Sequence, residues 1–386
     1  MERLRSIYGI FFDENYKNYY NIIIDIFDND NLNYNLTDDK ILNILGLYYK
    51  CKIKDYNKMK KYYLMAIELN NNTAMCNLAL YYQSIEHNYD EMKKYFLMAV
   101  ELNDVIAMYN LGFHYHYVEI NYNKMDKYYL MAIKFNCVNA MYSLGCYYQS
   151  IEKNYDEMKK YYLMAIEFNS HKAMNNLGNY YQIIEKKYNE MKKYYLMAIE
   201  LNDHNSMHNF GYYYQHNEQN YDEMKKYYLM AIKLNNSNAM NSFGYYYQNI
   251  EKNYNEMKKY YLMAIELNNR DAMYNFGYYC RYIEKNYDEM KKYYLMAIKL
   301  NSSNAMDSLY LYAKAHYFDC NIVFLHYSLR QINSTIAIEK VRELEKNNFL
   351  GVKIFKELTE YCFNPQRLLK LCNIYDLELD DYMDVI

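Results

Sequence analysis

AMYSLGCYYQSIEKNYDEMKKYYLMAIEFN, residues 140–169, decides how this chain folds. From Ala140 to Tyr148 apolar and aromatic groups recur at helical spacing, so this part reads as a first helix. Ser150 to Tyr155 is polar and holds a turn. Asp156 then stands where a helix N-cap belongs, since a short side-chain oxygen accepts from the unpaired amides of the first turn. A second helix is expected from about Glu157 to Phe168. It has Met158, Tyr162, Ala165 and Ile166 on one face, with Lys159 and Lys160 more solvated. Asn169 closes it, because asparagine tolerates the left-handed conformation that commonly follows a helix end. The unit is a helical hairpin.

The block MKKYYLMAIELN begins at Met59 and returns, slightly varied, at Met92, Met125, Met158, Met191, Met224, Met257 and Met290. Every step is 33 residues, without insertion or deletion, which marks one unit copied and stacked. The expected N-cap reads Asn57, Asp90, Asn123, Asp156, Asn189, Asp222, Asn255 and Asp288. The closing position is asparagine in all eight copies, from Asn70 to Asn301. Gly46, Gly112, Gly145, Gly178, Gly211, Gly244 and Gly277 share one place in the first helix, with Ala79 in the remaining copy. Glycine inside a helix costs about 1 kcal/mol relative to alanine, so close helix contact is the expected compensation.

The pattern A-M-x-x-L-G-x-x-Y, a short loop, then M-K-K-Y-Y-x-x-A-I-E-L-N is similar to Sel1-like repeats, a branch of the tetratricopeptide class. Met158 replaces that family's first alanine of the second helix and Asn169 its terminal glycine. SIEKNY (Ser150 to Tyr155) stands where the family has a glycine-rich loop. The resemblance covers about residues 41 to 304. It implies an all-α fold, a right-handed superhelical solenoid of stacked antiparallel helix pairs, and the role of an adaptor that holds protein complexes together. Residues 1–40 are expected to form an N-terminal helical cap and 41–304 eight repeats. Residues 305–337 read as a degenerate ninth copy, in which Tyr310 replaces the glycine and Arg330 the alanine. Residues 338–386 complete a C-terminal helical cap, with Pro365 starting its last helix and an acidic tail from Asp376 to Asp384. Caps cover the outermost apolar faces of a solenoid.

Composition narrows the function. The 386 residues carry a formal charge of −3, so no global basic field attracts nucleic acid or anionic lipid. One proline and nine glycines argue against a sandwich or barrel, whose turns need both. The chain holds 57 tyrosines and no tryptophan. This Asn/Tyr/Ile/Lys bias resembles repeat proteins encoded by large DNA viruses of amoebae or by AT-rich protists. Eight cysteines without a CxxC pair suggest reduced, buried thiols in an intracellular, cytoplasmic protein, in the host cytoplasm if viral. The short apolar run before Asp13 is too little for a signal peptide or a membrane span.

If the tetratricopeptide-like packing holds, the first helices line a concave groove. Two positions there vary among copies. One reads Cys76, Tyr109, Tyr142, Asn175, His208, Asn241 and Tyr274; the other Leu80, Phe113, Cys146, Asn179, Tyr212, Tyr245 and Tyr278. A third is nearly constant, with Gln83, His116, Gln149, Gln182, Gln215, Gln248 and Arg281. Together they suggest a neutral groove of amides and phenols, on the order of 80 Å long, for a protein or peptide partner. Ordinary packing between repeats is the competing reading for many of these tyrosines.

His204 and His208, four apart, would share a helix face as metal ligands, but no carboxylate or cysteine completes a site and His204 is expected in a loop. His114 and His116 diverge on a helix and read as surface or groove residues. The lysine pairs read as a solvated mixed-charge face. There is no P-loop, GxSxG, HExxH or GxGxxG, so no enzyme, cofactor or metal site is expected. The alternatives are a structural component that self-associates or binds through its caps, and a disordered, self-associating Tyr/Asn/Gln-rich chain.

Overall fold

The computed structural model describes residues 14–316. Among the described residues there are 18 α-helices and no strand. The chain divides into two compact units, Met1–Glu185 and Lys186–Ile386.

In the first unit a 3-10 turn (Glu14–Tyr19) and α1 (Tyr20–Asn29) precede the array. The hairpins that follow are α2 (Asp39–Tyr48) with α3 (Tyr56–Glu68), α4 (Asn72–Tyr81) with α5 (Tyr89–Glu101), α6 (Val105–Tyr117) with α7 (Tyr122–Ile133), and α8 (Val138–Ser150) with α9 (Tyr155–Glu167). The unit ends with α10 (His171–Ile183). The second unit opens with α11 (Tyr188–Glu200). It continues with α12 (His204–Tyr213) on α13 (Tyr221–Lys233), α14 (Ser237–Tyr246) on α15 (Tyr254–Glu266), α16 (Arg270–Tyr279) on α17 (Tyr287–Lys299), and α18 (Ser303–His316). Within each unit, every hairpin packs on the next. The expected C-terminal cap and the degenerate ninth copy beyond residue 316 lie outside the described residues.

Both ends of the second helix are satisfied locally, but its start differs from the expectation. Asn154, not Asp156, caps α9: its backbone is extended and its side chain accepts from the Glu157 amide at 3.2 Å. Asp55, Asn88, Asn121, Asn220, Asn253 and Asn286 do the same in other copies, while Lys187 provides no side-chain cap. Asn57, Asp90, Asn123, Asp156, Asn189, Asp222, Asn255 and Asp288 are therefore already helical. The acidic ones among them place charge in the first turn, where the helix dipole favours it. The physical reason is spacing. An oxygen at 154 reaches the amide three residues on, as in a capping box.

At the other end Asn70, Asn103, Asn136, Asn169, Asn202, Asn235, Asn268 and Asn301 all adopt φ between 56° and 61°. The next residue (Asn71, Asp104, Ser170, Asp203, Asn236, Asn269) immediately caps the following first helix, so the connection between hairpins is very short. Within hairpins, several first helices widen into a π turn, as at Tyr82–Glu86 and Tyr247–Glu251. The chain then reverses through a left-handed residue: Lys54, His87, Ile120, Lys153, Lys186, Gln219, Lys252 or Lys285. A bond such as that from Asn154 N to Tyr148 O, 2.9 Å, seals this reversal. No glycine is used there.

Glycine acts two turns earlier. A Cβ on Gly211 would lie 2.6 Å from Cδ1 and 2.7 Å from Cε1 of Tyr228, and one on Gly244 would meet Tyr261 at the same distances. The second-helix ring thus lies flat on bare first-helix backbone, and Tyr63, Tyr129, Tyr162, Tyr195, Tyr228, Tyr261 and Tyr294 are fully buried. A tyrosine pair also stacks nearly parallel in most hairpins, as Tyr148 on Tyr161 (5.5 Å, 3°) and Tyr247 on Tyr260 (5.7 Å, 1°), whereas in α16–α17 Cys280 takes the first tyrosine's place. Most constant tyrosines are therefore packing elements.

Candidate protein-binding surface

The first helices present one uncharged face. Among residues 72–84, 105–117, 138–150 and 171–183, Lys172 is the one lysine, arginine or carboxylate. In the second unit, Arg270 pairs with Asp271 at 3.5 Å, and Arg281 donates to the Ser308 carbonyl at 2.9 Å and lies over the Tyr282 ring. The second helices carry the charge instead. Lys93 bonds to Glu119 (2.7 Å), Lys159 to Glu185 (3.3 Å), Lys192 to Glu218 (2.6 Å) and Lys225 to Glu251 (2.5 Å), each tying one hairpin to the next. Lys60–Glu86 and Lys258–Glu284 continue the series. These lysines are engaged between hairpins, whereas the neighbouring Lys94, Lys160, Lys226, Lys259 and Lys292 pair along their own helices.

The three groove positions differ in what they touch. At the first, Cys76 is buried, the other side chains are half-buried, and several bridge successive hairpins. Tyr142 OH accepts from Asn176 Nδ2 (3.2 Å), His208 Nε2 lies 3.0 Å from Ser242 Oγ, and Asn241 Oδ1 accepts from Asn275 Nδ2 (2.9 Å). Tyr109 and Tyr274 stack on Tyr129 and Tyr294, each with ring centres 5.8 Å apart. Burial pulls His208 down to about 4, so it is neutral at physiological pH. Asn175 of α10 is half-buried, as are Asn179 and Gln182 of the same helix.

At the second position the aromatic groups stand open: Phe113 is 39% exposed, Tyr212 46%, Tyr245 47% and Tyr278 41%. Cys146 is half-buried and accepts from Tyr162 OH at 3.4 Å. The glutamines of the third position turn inward. Gln149, Gln215 and Gln248 accept the hydroxyls of Tyr162 (2.6 Å), Tyr228 (2.7 Å) and Tyr261 (3.0 Å), fixing each ring on its glycine.

A fourth position, directly after the glutamines and one turn beyond the second position, escaped the reading of the sequence. It holds Ser84, Tyr117, Ser150, Ile183, His216, Asn249 and Tyr282, and includes the most exposed groups of this face: Tyr117 at 56%, Ile183 at 66% and Tyr282 at 50%. Its variation among copies was the available signal. Second and fourth positions pair their rings: Phe113 with Tyr117 (4.6 Å), Tyr212 with His216 (4.2 Å) and Tyr278 with Tyr282 (4.4 Å), all tilted by 40–45°. Tilted aromatic pairs on a neutral surface offer large contact area at small conformational cost.

Other expectations are corrected. His114 and His116 are buried, at 0% and 9% exposure, because they occupy the places of an inward tyrosine and an inward glutamine. His114 Nε2 lies 3.1 Å from Glu119 Oε1. His204 opens α12 and is not in a loop. Of the cysteines, Cys76 and Cys280 are buried thiols, but Cys51, Cys137 and Cys146 are half-exposed; the other three lie outside the described residues. Among the described residues no group of three histidines, cysteines or carboxylates could hold a metal, and no helix is long and apolar enough to cross a membrane.

No protein-family model matches the chain, and no curated protein matches it. Among solved structures it is similar to a protective antigen of uropathogenic Escherichia coli displaying an SLR fold, with 16% identity over 87% of this chain and 79% of that one, at a TM-score of 0.51. It is also similar to a Sel1 repeat protein from Oxalobacter formigenes (21% identity, 60% of this chain, 100% of that one, TM-score 0.48) and to the human IFIT1 dimer with PPP-AAAA (14%, 80%, 83%, 0.49). Likeness at such identity concerns the fold alone, and that fold is a Sel1-like stack of helical hairpins.

Proposed function

We propose that this chain is a non-enzymatic scaffold that holds a protein segment along the face of its first helices. The observation that carries the reading is the recurrence, in four of the seven copies, of exposed aromatic side chains on a face almost free of charge. Aromatic anchors in desolvated surroundings supply most of the energy at protein interfaces. Nucleic acid is disfavoured as the ligand, because phosphate binding needs lysine or arginine and the lysines here are tied into ion pairs on the second helices. The adaptor acts in the cytoplasm, and in a host cytoplasm if, as the composition suggests, the gene is that of a large DNA virus of amoebae. Engagement at several hairpins would add their contributions through effective concentration.

The test is affinity capture from the native host with the wild type and with Tyr212→Ala, Tyr245→Ala and Tyr278→Ala combined. Each exposed ring is expected to contribute about 1 kcal/mol or more, so the triple variant should lose its protein partner by roughly a hundredfold in affinity while keeping its helicity. Equal capture by both would move the function to self-assembly or to the ends of the array.

A further inference from the structure

The series of ion pairs between hairpins has one inverted member. At six junctions a lysine of the second helix meets a glutamate 26 residues on, which also receives a tyrosine hydroxyl or histidine nitrogen from its own hairpin. Examples are Tyr180 to Glu185 at 2.8 Å and Tyr246 to Glu251 at 2.8 Å. In α7 the lysine's place is taken by Asp126, and the residue 26 further on is Glu152. Tyr147 OH donates to Glu152 Oε1 at 2.5 Å as elsewhere, but the cation is gone. Asp126 Oδ1 is buried and has no hydrogen-bond partner.

The surroundings offer no substitute charge. From α8, Tyr147 and Tyr148 face the pair; from α9, Tyr161 does, while Glu157 is taken by Lys160 at 2.8 Å. From α6, His116 turns its ring edge to Tyr147 at 5.7 Å, and burial holds it below its ordinary range, which disfavours its charged form. On α7 itself, Lys124 lies over Tyr115 and Lys127 over Tyr128. Among the described residues no ammonium pairs with Asp126 or Glu152.

We propose that the joint between the α6–α7 and α8–α9 hairpins is operated by a proton. With Asp126 ionised, two carboxylates oppose each other and the joint is the weak link of its unit. With Asp126 protonated, its hydroxyl donates to Glu152 and replaces the missing lysine bond. Burial first, and Glu152 second, raise the Asp126 carboxyl above its ordinary value, which favours the proton-bearing form. The sign follows. A carboxyl raised in the folded state contributes stability that is complete below its unfolded value and lost as pH rises through the folded one. In a stack where each hairpin touches only its neighbours, the loss is felt at that joint alone and opens the array there.

Hydrogen exchange of the full chain, corrected for intrinsic rates, tests this at about pH 4, near the unfolded aspartate value, and at about pH 7.5, well above it. Peptides from α7 and α8 of the wild type should open severalfold more often at the higher pH, in the direction that the raised carboxyl sets. Peptides from α13 and α14, joined by Lys225 and Glu251, serve as the reference. Asp126→Asn, which keeps a donor without a titratable charge, should be protected at both pH values like the acid wild type. Asp126→Lys restores the common pair and should be protected at neutral pH. The proposal is overturned if Asp126→Asn keeps the wild-type pH dependence, or if Asp126→Lys gains no protection at neutral pH.

Discussion

Gly211→Ala should destabilise the chain although alanine is the better helix former. The added Cβ would stand 2.6 Å from Tyr228 Cδ1, far inside contact distance, and the ring behind it is fully buried. Relief requires moving the ring, which pulls its hydroxyl from Gln215 Oε1 at 2.7 Å. Overpacking costs about 1–3 kcal/mol and the lost hydrogen bond about 1 kcal/mol, against a gain of about 1 kcal/mol in helix propensity. The net expectation is a loss of about 2 kcal/mol. The chain itself carries the compensated pair: where Ala79 replaces glycine, Phe96 replaces tyrosine, a ring with no hydroxyl to keep in place. Gly211→Ala combined with Tyr228→Phe should therefore cost less than the sum of the two single changes, by about 1 kcal/mol in a double-mutant cycle read by urea unfolding. Strict additivity, or a Gly211→Ala protein as stable as the wild type, would refute the reasoning.

Three further outcomes are expected. Asn154→Ala should cost about 1 kcal/mol in thermal or urea unfolding and Asp156→Ala clearly less, because only Asn154 bonds the first-turn amide. Ile120→Gly should stabilise by about 1 kcal/mol, since a β-branched residue is held there at φ 52°. Glu86, Glu119, Glu218 and Glu251 are held below the ordinary glutamate range, first of all by their lysine hydrogen bonds. Their contribution is present above the unfolded value of about 4.3 and lost as pH falls through the lowered ones. Urea midpoints should fall with acid below about pH 4, and Glu218→Gln should flatten that decline.

The hairpin, its closing asparagine and the reason for its glycine were legible in the sequence because each recurs in fixed phase. The start of the second helix was not, since Asn154 and Asp156 are both competent caps and periodicity does not say which amide is first unpaired. The inward place of His114 and His116 was encoded, because they stand in register with Tyr147 and Gln149, but only the structure shows that those positions face inward. The first two groove positions vary alike on the page. They differ in space because Tyr142, His208 and Asn241 lie where the following hairpin covers them, and Tyr212 and Tyr245, one turn on, do not. Tyr117, Ile183 and Tyr282 escape a reading of the sequence in which the first helix ends before them.

The central claim is that a protein segment lies on the first-helix face, and photo-crosslinking tests it most directly. A benzophenone amino acid replaces Tyr245 on that face in one protein and the exposed Leu229 of a second helix in another. A discrete protein adduct from position 245, absent from position 229, is the predicted result. Adducts from position 229 alone, or a nucleic-acid adduct at 245, would contradict the account.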